Sequence, residues 1–129
     1  MRLLLDTHAL IWWLFDDPKL STPARRAISD VDNEMLVSSA SAWEIATKHR
    51  RGKLPEAGDL VQRFEHYIAA ARFAELPITA AHALAAGRLP GPHKDPFDRV
   101  LIAQARLEKL TVVTIDPVFA DYGAEVLWH

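Results

Sequence analysis

Short apolar runs alternate with stretches of helical periodicity along this chain. Apolar or β-branched runs of strand length occur at residues 2–5 (RLLL), 34–38 (EMLVS), 74–78, 111–116 (TVVTID) and 125–129 (EVLWH, at an edge). Helix signals occur over residues 8–15, from Ser21-Thr22-Pro23, from Ser39 or Ser41 to about Arg51, within 58–73, from Thr79 to near Gly87, and from Asp95 to about Lys109. This alternation predicts one α/β domain, residues 1–129, whose mostly parallel central sheet has helices on both faces.

Acidic residues lie where these predicted elements begin or end. Asp6 follows RLLL and Asp116 closes TVVTID, while Glu44 and Asp98 lie in early turns of helices. Ligand sites in open parallel sheets lie at the carboxyl ends of the strands, so we predict that these four carboxylates meet at one edge. Oxygen ligands without thiolates indicate a hard cation, Mg²⁺ or Mn²⁺.

Each of these acids also has a structural explanation. Glu44 forms a capping-box pattern with the serine three residues before it, and Lys48 lies at the i+4 ion-pair position. Asp95, followed by proline, suits a helix N-cap, and Asp98 then lies in the first turn, where a carboxylate suits the helix dipole. Asp116, also followed by proline, suits a turn. Asp6 is the hardest to explain in this way, because a carboxylate directly after an apolar strand is costly unless something binds it.

Composition narrows the chemistry. The 129 residues include no cysteine, which excludes disulfides and thiolate metal sites, and the formal net charge is −2. A negative chain is not a typical nonspecific nucleic-acid binder. Two local basic clusters, residues 48–53 and the group Arg88, His93, Lys94 and Arg99, are either solvated faces or parts of a basic groove beside an acidic centre.

The N-terminal apolar run superficially resembles a signal peptide. Asp6 and His8 interrupt it, no small-residue cleavage site follows, and the run is too short to span a bilayer. Together with the missing cysteines, this predicts a soluble cytoplasmic protein with no membrane association.

Four stretches, in order, carry a resemblance to a known family: LLLDTHALIW, SSASAWEIATK, HKDPFDRVLIAQA and TVVTID. Together they resemble the PIN domain, and more narrowly the VapC-type toxin ribonucleases of bacterial toxin–antitoxin pairs. The resemblance covers almost the whole chain. It implies a three-layer α/β/α sandwich and a metal-dependent endoribonuclease that hydrolyses RNA phosphodiester bonds through carboxylate-bound Mg²⁺ or Mn²⁺.

The resemblance also implies roles for single residues. Asp6, Glu44, Asp98 and Asp116 match the family's four acids, with the first and third as the most direct metal ligands. In the same segments, Asp95 is expected mainly to start the helix and to contact metal-bound water, and Thr114 to orient Asp116. His93, Lys94 and Arg99 are candidates for holding the RNA backbone by charge, with Arg99 equally suited to pairing with a nearby acid.

Further implications concern partners. By resemblance we expect a homodimer and a cognate VapB-like antitoxin whose tail covers the basic and acidic cleft. Trp12, Trp13 and Trp43 lie on early helices and suit either core packing or an interface.

Three other functions remain open from the sequence. The first alternative is a PIN-domain nuclease for RNA processing or quality control without a toxin role. A phosphotransferase with Asp6 as nucleophile is disfavoured, because the sequence DTH lacks the second aspartate two positions on. A non-catalytic binding module is disfavoured because all four acids are present.

Overall fold

A five-stranded sheet forms the centre of the computed structural model, which describes all 129 residues. Its strands are β1 (Arg2–Leu5), β2 (Glu34–Ser38), β3 (Ala74–Leu76), β4 (Thr111–Val113) and β5 (Glu125–Leu127). The spatial order is β3-β2-β1-β4-β5, and every neighbouring pair is parallel. The predicted parallel sheet is confirmed, and β5 lies at an edge as expected.

Eight helices connect and cover the strands. They are α1 (Thr7–Leu14), α2 (Thr22–Ser29), α3 (Ser39–Arg50), α4 (Gly58–Gln62), α5 (Phe64–Ala70), α6 (Ala80–Arg88), α7 (Pro96–Glu108) and α8 (Val118–Asp121), with a single 3₁₀ turn at Pro55–Ala57. The sequence pattern did not predict α8 or the 3₁₀ turn. No helix is long and apolar enough to cross a membrane.

The central strand divides the core into two halves because successive side chains point to opposite faces. Leu3 and Leu5 belong to one buried cluster, together with residues of α1, α2 and α5. Leu4 belongs to a second cluster, together with Leu101 and Ile102 of α7. Both faces of the sheet are therefore covered by helices, which confirms the three-layer α/β/α architecture.

The predicted N-cap of α3 was wrong. The N-cap of α3 is Ser38, not Ser39 or Ser41, because β2 passes into the helix without a loop and the hydroxyl of Ser38 accepts a bond from the Ala40 N–H. Ser41 is consequently buried within the first turns and caps nothing, so the capping box expected with Glu44 is absent.

The helical stretch at residues 58–73 is also interrupted. Arg63 leaves the helical region at φ −126°, so α4 and α5 are separate helices. Neither glycine nor proline marks the break. Leu60 and Ile68, one from each helix, are buried in the same core cluster.

Candidate active site

Asp6 lies at the carboxyl end of the central strand, where β1 turns into α1. It is the N-cap of α1, with one carboxylate oxygen accepting from the Ala9 N–H at 2.7 Å. The other oxygen accepts from the Thr114 hydroxyl at 2.6 Å. Only 4% of the residue is exposed. Its capping role explains part of its position, which the sequence alone left unexplained.

Thr114 connects the ends of β1 and β4 at this edge. Its hydroxyl donates to Asp6 and accepts from the Asp116 N–H at 3.0 Å. The expected partner was the Asp116 side chain, but that carboxylate instead accepts from the Val118 N–H at 3.0 Å. Thr114 therefore orients the Asp6 carboxylate directly, and it holds only the backbone of Asp116.

Glu44 reaches the same region from α3 and is 2% exposed. Its carboxylate pairs with Lys48 at 2.5 Å, so the ion pair predicted from i, i+4 spacing is present. One turn earlier, the Ser41 hydroxyl accepts from the Thr7 hydroxyl at 3.0 Å. This buried bond ties α3 to the start of α1. The sequence had suggested Ser41 only as a helix cap, and it gave no role to Thr7.

Asp95 and Asp98 have different surroundings at the start of α7. One oxygen of Asp95 accepts from the N–H groups of Phe97 and Asp98, at 2.9 and 3.2 Å, so Asp95 is the N-cap. The Asp98 carboxylate instead lies 2.9 Å from His93 Nε2. Asp95 therefore starts the helix, and Asp98 presents its carboxylate next to an imidazole.

Two side chains hold the loop before α7: Arg99 of α7 and Tyr122, which directly follows α8. Arg99 donates from its guanidinium to the carbonyls of Ala86, Leu89 and His93. The hydroxyl oxygen of Tyr122 accepts a hydrogen bond from the His93 N–H at 2.9 Å. Arg99 forms no ion pair with an acid, which corrects one expectation, and its guanidinium is occupied by these three backbone carbonyls. Tyr122 had no sequence signal, because its contact spans 29 residues.

Burial and mutual repulsion shape the electrostatics of the acids. Burial, followed by the negative charges of Asp95 and Glu44, raises the pKa of Asp98 to about 6 despite the opposing effect of His93. Burial also raises the pKa of Asp6, with a further contribution from Glu44, while the Thr114 and Ala9 donors lower it. The charge of Glu44 thus acts on both aspartates, which places three of the four predicted acids in one electrostatic cluster.

The donor chemistry of this cluster fits a hard divalent cation. Its ligands would be carboxylate oxygens, which Mg²⁺ and Mn²⁺ prefer. A cation would favour the ionised form of Asp6 and Asp98, whose pKa values are raised mainly by burial and to a smaller extent by the charge of Glu44. As the side chains stand, no three His, Asp or Glu groups are arranged to hold a metal ion. Each carboxylate is instead engaged by a protein donor, as described above.

Comparison with known proteins assigns the fold and the family. The PIN domain model matches residues 3–125. Ribonuclease VapC22 of Mycobacterium tuberculosis is 31% identical over 118 residues, covering 88% of this chain and 85% of that protein. Ribonuclease VapC16 of the same organism is 50% identical over 42 residues, which span 30% of each protein.

A solved structure supports the same assignment at the level of fold. The structure of VapBC2 from Rickettsia felis, bound to a DNA fragment from their promoter, matches with a TM-score of 0.74 at 16% identity and full coverage of both chains. The family match over nearly the whole length and the VapC22 relative together carry the conclusion. The chain belongs to the PIN domain family and, within it, to the VapC-type proteins.

Proposed function

We propose that this protein is a metal-dependent endoribonuclease and the toxin of a VapBC-type pair. The observation that carries the proposal is the pair Asp6 and Asp98, far apart in sequence, each with a raised pKa to which the charge of Glu44 contributes. Both pKa values are raised mainly by burial, and buried titratable groups with perturbed pKa values cluster at functional sites. The names of the VapC relatives, both ribonucleases, support RNA as the substrate.

The four acids, Asp6, Glu44, Asp98 and Asp116, would hold Mg²⁺ or Mn²⁺. A bound ion of this kind supplies an activated water and stabilises charge on the attacked phosphate. The chain itself contributes orientation: the Thr114 hydroxyl and the Ala9 N–H fix the two oxygens of Asp6.

The start of α7 contributes a second set of roles. His93 fixes the Asp98 carboxylate and would release it when the site is loaded. Asp95 caps the first turn of α7, and by the family resemblance it would also contact metal-bound water. Lys94 is exposed and would attract the RNA backbone by charge.

The protein would work in the cytoplasm with two protein partners. A VapB-like antitoxin is supported by family membership and by the Rickettsia felis VapBC2 structure. A homodimer is carried over from the family resemblance. The alternative is a PIN-domain nuclease that processes RNA without a toxin role. A small antitoxin-like reading frame beside the gene, and growth arrest on expression that this frame relieves, would favour the toxin.

Cleavage of RNA by the purified protein tests the proposal. We expect cleavage with Mg²⁺ or Mn²⁺, none with EDTA, and none with Asp98→Asn. Asp121→Asn is the matched control, because it removes one exposed carboxylate from α8. Asp95→Asn should keep most of the activity, since asparagine is an equally good N-cap. Cleavage retained by Asp98→Asn, or cleavage that persists in EDTA, would contradict the proposed site.

A further inference from the structure

A buried pair of hydroxyl groups, which the proposed mechanism does not use, lies between the start of α1 and α3. The Thr7 hydroxyl donates to the Ser41 hydroxyl at 3.0 Å, and the two residues are 3% and 0% exposed. Neither hydroxyl caps a helix, because Asp6 caps α1 and Ser38 caps α3. Burying a hydroxyl costs free energy even when it is hydrogen-bonded to a neighbour, so the pair needs an explanation.

Each hydroxyl is a close neighbour of one acid. Thr7 directly follows Asp6 at the start of α1. Ser41 lies three residues before Glu44 in α3, and residues three apart lie on the same side of a helix. The bond therefore links the turn that follows Asp6 to the helix that carries Glu44. Burial raises the pKa of Asp6 and the charge of Glu44 adds to this rise, so the two acids are close enough for their spacing to matter.

No other hydrogen bond joins α1 to α3. The pairing of β1 with β2 ends at Leu5 and Val37. Only Asp6 separates β1 from α1, and β2 passes directly into α3. The sheet therefore fixes the two strand ends, and beyond them the bond between Thr7 and Ser41 is the one hydrogen bond that restrains the helices relative to each other. Removing it would let α1 and α3 shift while the sheet stays intact.

We propose that Thr7 and Ser41 are positioning residues that set the spacing of Asp6 and Glu44, and that this spacing makes the site selective for Mg²⁺ over Ca²⁺. Mg²⁺ requires nearly ideal octahedral geometry with ligand oxygens at about 2.0–2.1 Å, whereas Ca²⁺ accepts flexible arrangements at about 2.3–2.6 Å. A bond that restrains the two helices limits where the carboxylates can meet, and the smaller ion depends more on that restraint. This inference rests on the proposed metal-dependent function and adds the origin of its ion preference.

Three variants test the hydroxyl pair. Thr7→Val keeps the shape of the side chain without the hydroxyl, Ser41→Ala removes the other partner, and Thr7→Ser keeps the hydroxyl. Isothermal titration calorimetry measures the affinity of the full chain for Mg²⁺ and for Ca²⁺, independently of RNA cleavage. We expect Thr7→Val and Ser41→Ala to weaken Mg²⁺ binding by about 10-fold, the lower end of the loss for residues that orient metal ligands, and to change Ca²⁺ binding little. Thr7→Ser should keep the wild-type ratio of the two affinities.

A double variant and a control separate positioning from a general loss of stability. Both single changes remove the same bond, so Thr7→Val combined with Ser41→Ala should lower the Mg²⁺ affinity no further than the weaker-binding single variant does. Ile68→Val removes a methylene group from a buried residue of α5 and leaves the bond between α1 and α3 in place. Ile68→Val should lower Tm but leave the ratio of Mg²⁺ affinity to Ca²⁺ affinity unchanged.

The outcomes distinguish this inference from the proposed function. A ratio of Mg²⁺ affinity to Ca²⁺ affinity that stays unchanged in Thr7→Val and Ser41→Ala would overturn the inference, even if the wild type cuts RNA. Additive losses in the double variant would also overturn it, because the two hydroxyls would then act separately. A wild type that binds neither ion would reject the metal site and this inference together. Conversely, a changed ratio in a protein that never cuts RNA would support the hydroxyl pair and reject the nuclease.

Discussion

The bond between Thr114 and Asp6 can be tested by removing a single hydroxyl. Thr114→Val keeps the shape of the side chain but leaves the second Asp6 oxygen and the Asp116 N–H without partners. Both ends of the first bond are buried, with Thr114 2% and Asp6 4% exposed. Leaving a buried polar group unsatisfied costs about 1–3 kcal/mol. We expect the free energy of unfolding to fall by about 2 kcal/mol at neutral pH.

For a chain of this length, such a loss lowers Tm by roughly 6–10 °C. Thermal unfolding measures it, with Thr114→Ser as a control that keeps the hydroxyl and loses only a methyl group, worth about 1 kcal/mol. The loss of stability relative to the wild type should depend on pH for Thr114→Val but not for Thr114→Ser. The Thr114 hydroxyl lowers the pKa of Asp6 by stabilising its ionised form. Its contribution is present when Asp6 is ionised and shrinks as pH falls through the raised folded-state pKa.

A double-mutant cycle isolates the bond from its surroundings. In an Asp6→Ala background, Thr114→Val should cost clearly less than in the wild type, because one of the two lost bonds no longer exists. An equal cost in both backgrounds, or a deficit of Thr114→Val that does not shrink on acidification, would refute the argument that this hydroxyl positions Asp6.

Three further predictions concern the site and the loop beside it. In EDTA, the wild type should lose stability relative to Asp98→Asn as pH rises from about 4 to about 6. The reason is that folded Asp98 has a pKa of about 6, whereas the unfolded residue releases its proton near 3.8. Urea titrations measure the free energy of unfolding of both proteins across this range, and a difference between them that stays constant with pH would contradict the reasoning. Saturating Mg²⁺ or Mn²⁺ should raise the Tm of the wild type more than that of Asp98→Asn, since an ion that binds only the folded state stabilises it; equal shifts would speak against a metal at this carboxylate. Gly91→Ala should destabilise the protein and weaken RNA cleavage, because φ is +107° and a Cβ would collide with the Tyr122 hydroxyl that holds His93; unchanged Tm and unchanged cleavage would contradict this, and Gly87→Ala, with open space around it, is the control.

Local chemistry explains why much of the fold could be predicted from the sequence. β1 and β2 have the bounds that their apolar runs indicated, and α7 begins after Asp95 because an aspartate before a proline satisfies the first N–H groups of a helix. The ion pair of Glu44 and Lys48 follows from one turn of helix. These features depend on residues at most a few positions apart, and the chain specifies them wherever the segment lies.

Contacts between distant segments could not be predicted from the local sequence. The Thr114 hydroxyl meets Asp6 across 108 residues, and Arg99 reaches the carbonyls of a loop rather than an acid. The interruption at Arg63 has no glycine or proline to announce it.

The sequence by itself determined the order of the strands and of most of the helices and the parallel character of the sheet, and it predicted the edge at which the acids lie. Apolar periodicity, capping residues and strand ends are local properties, so they can be predicted from residues that are close together in the sequence. Only the tertiary structure decided which donor engages each carboxylate, how strongly burial raises the pKa of Asp6 and Asp98, and that Trp43 faces a basic cleft instead of the core. Those properties depend on desolvation and on side chains brought together from distant segments, which exist only once the two faces of the sheet are packed.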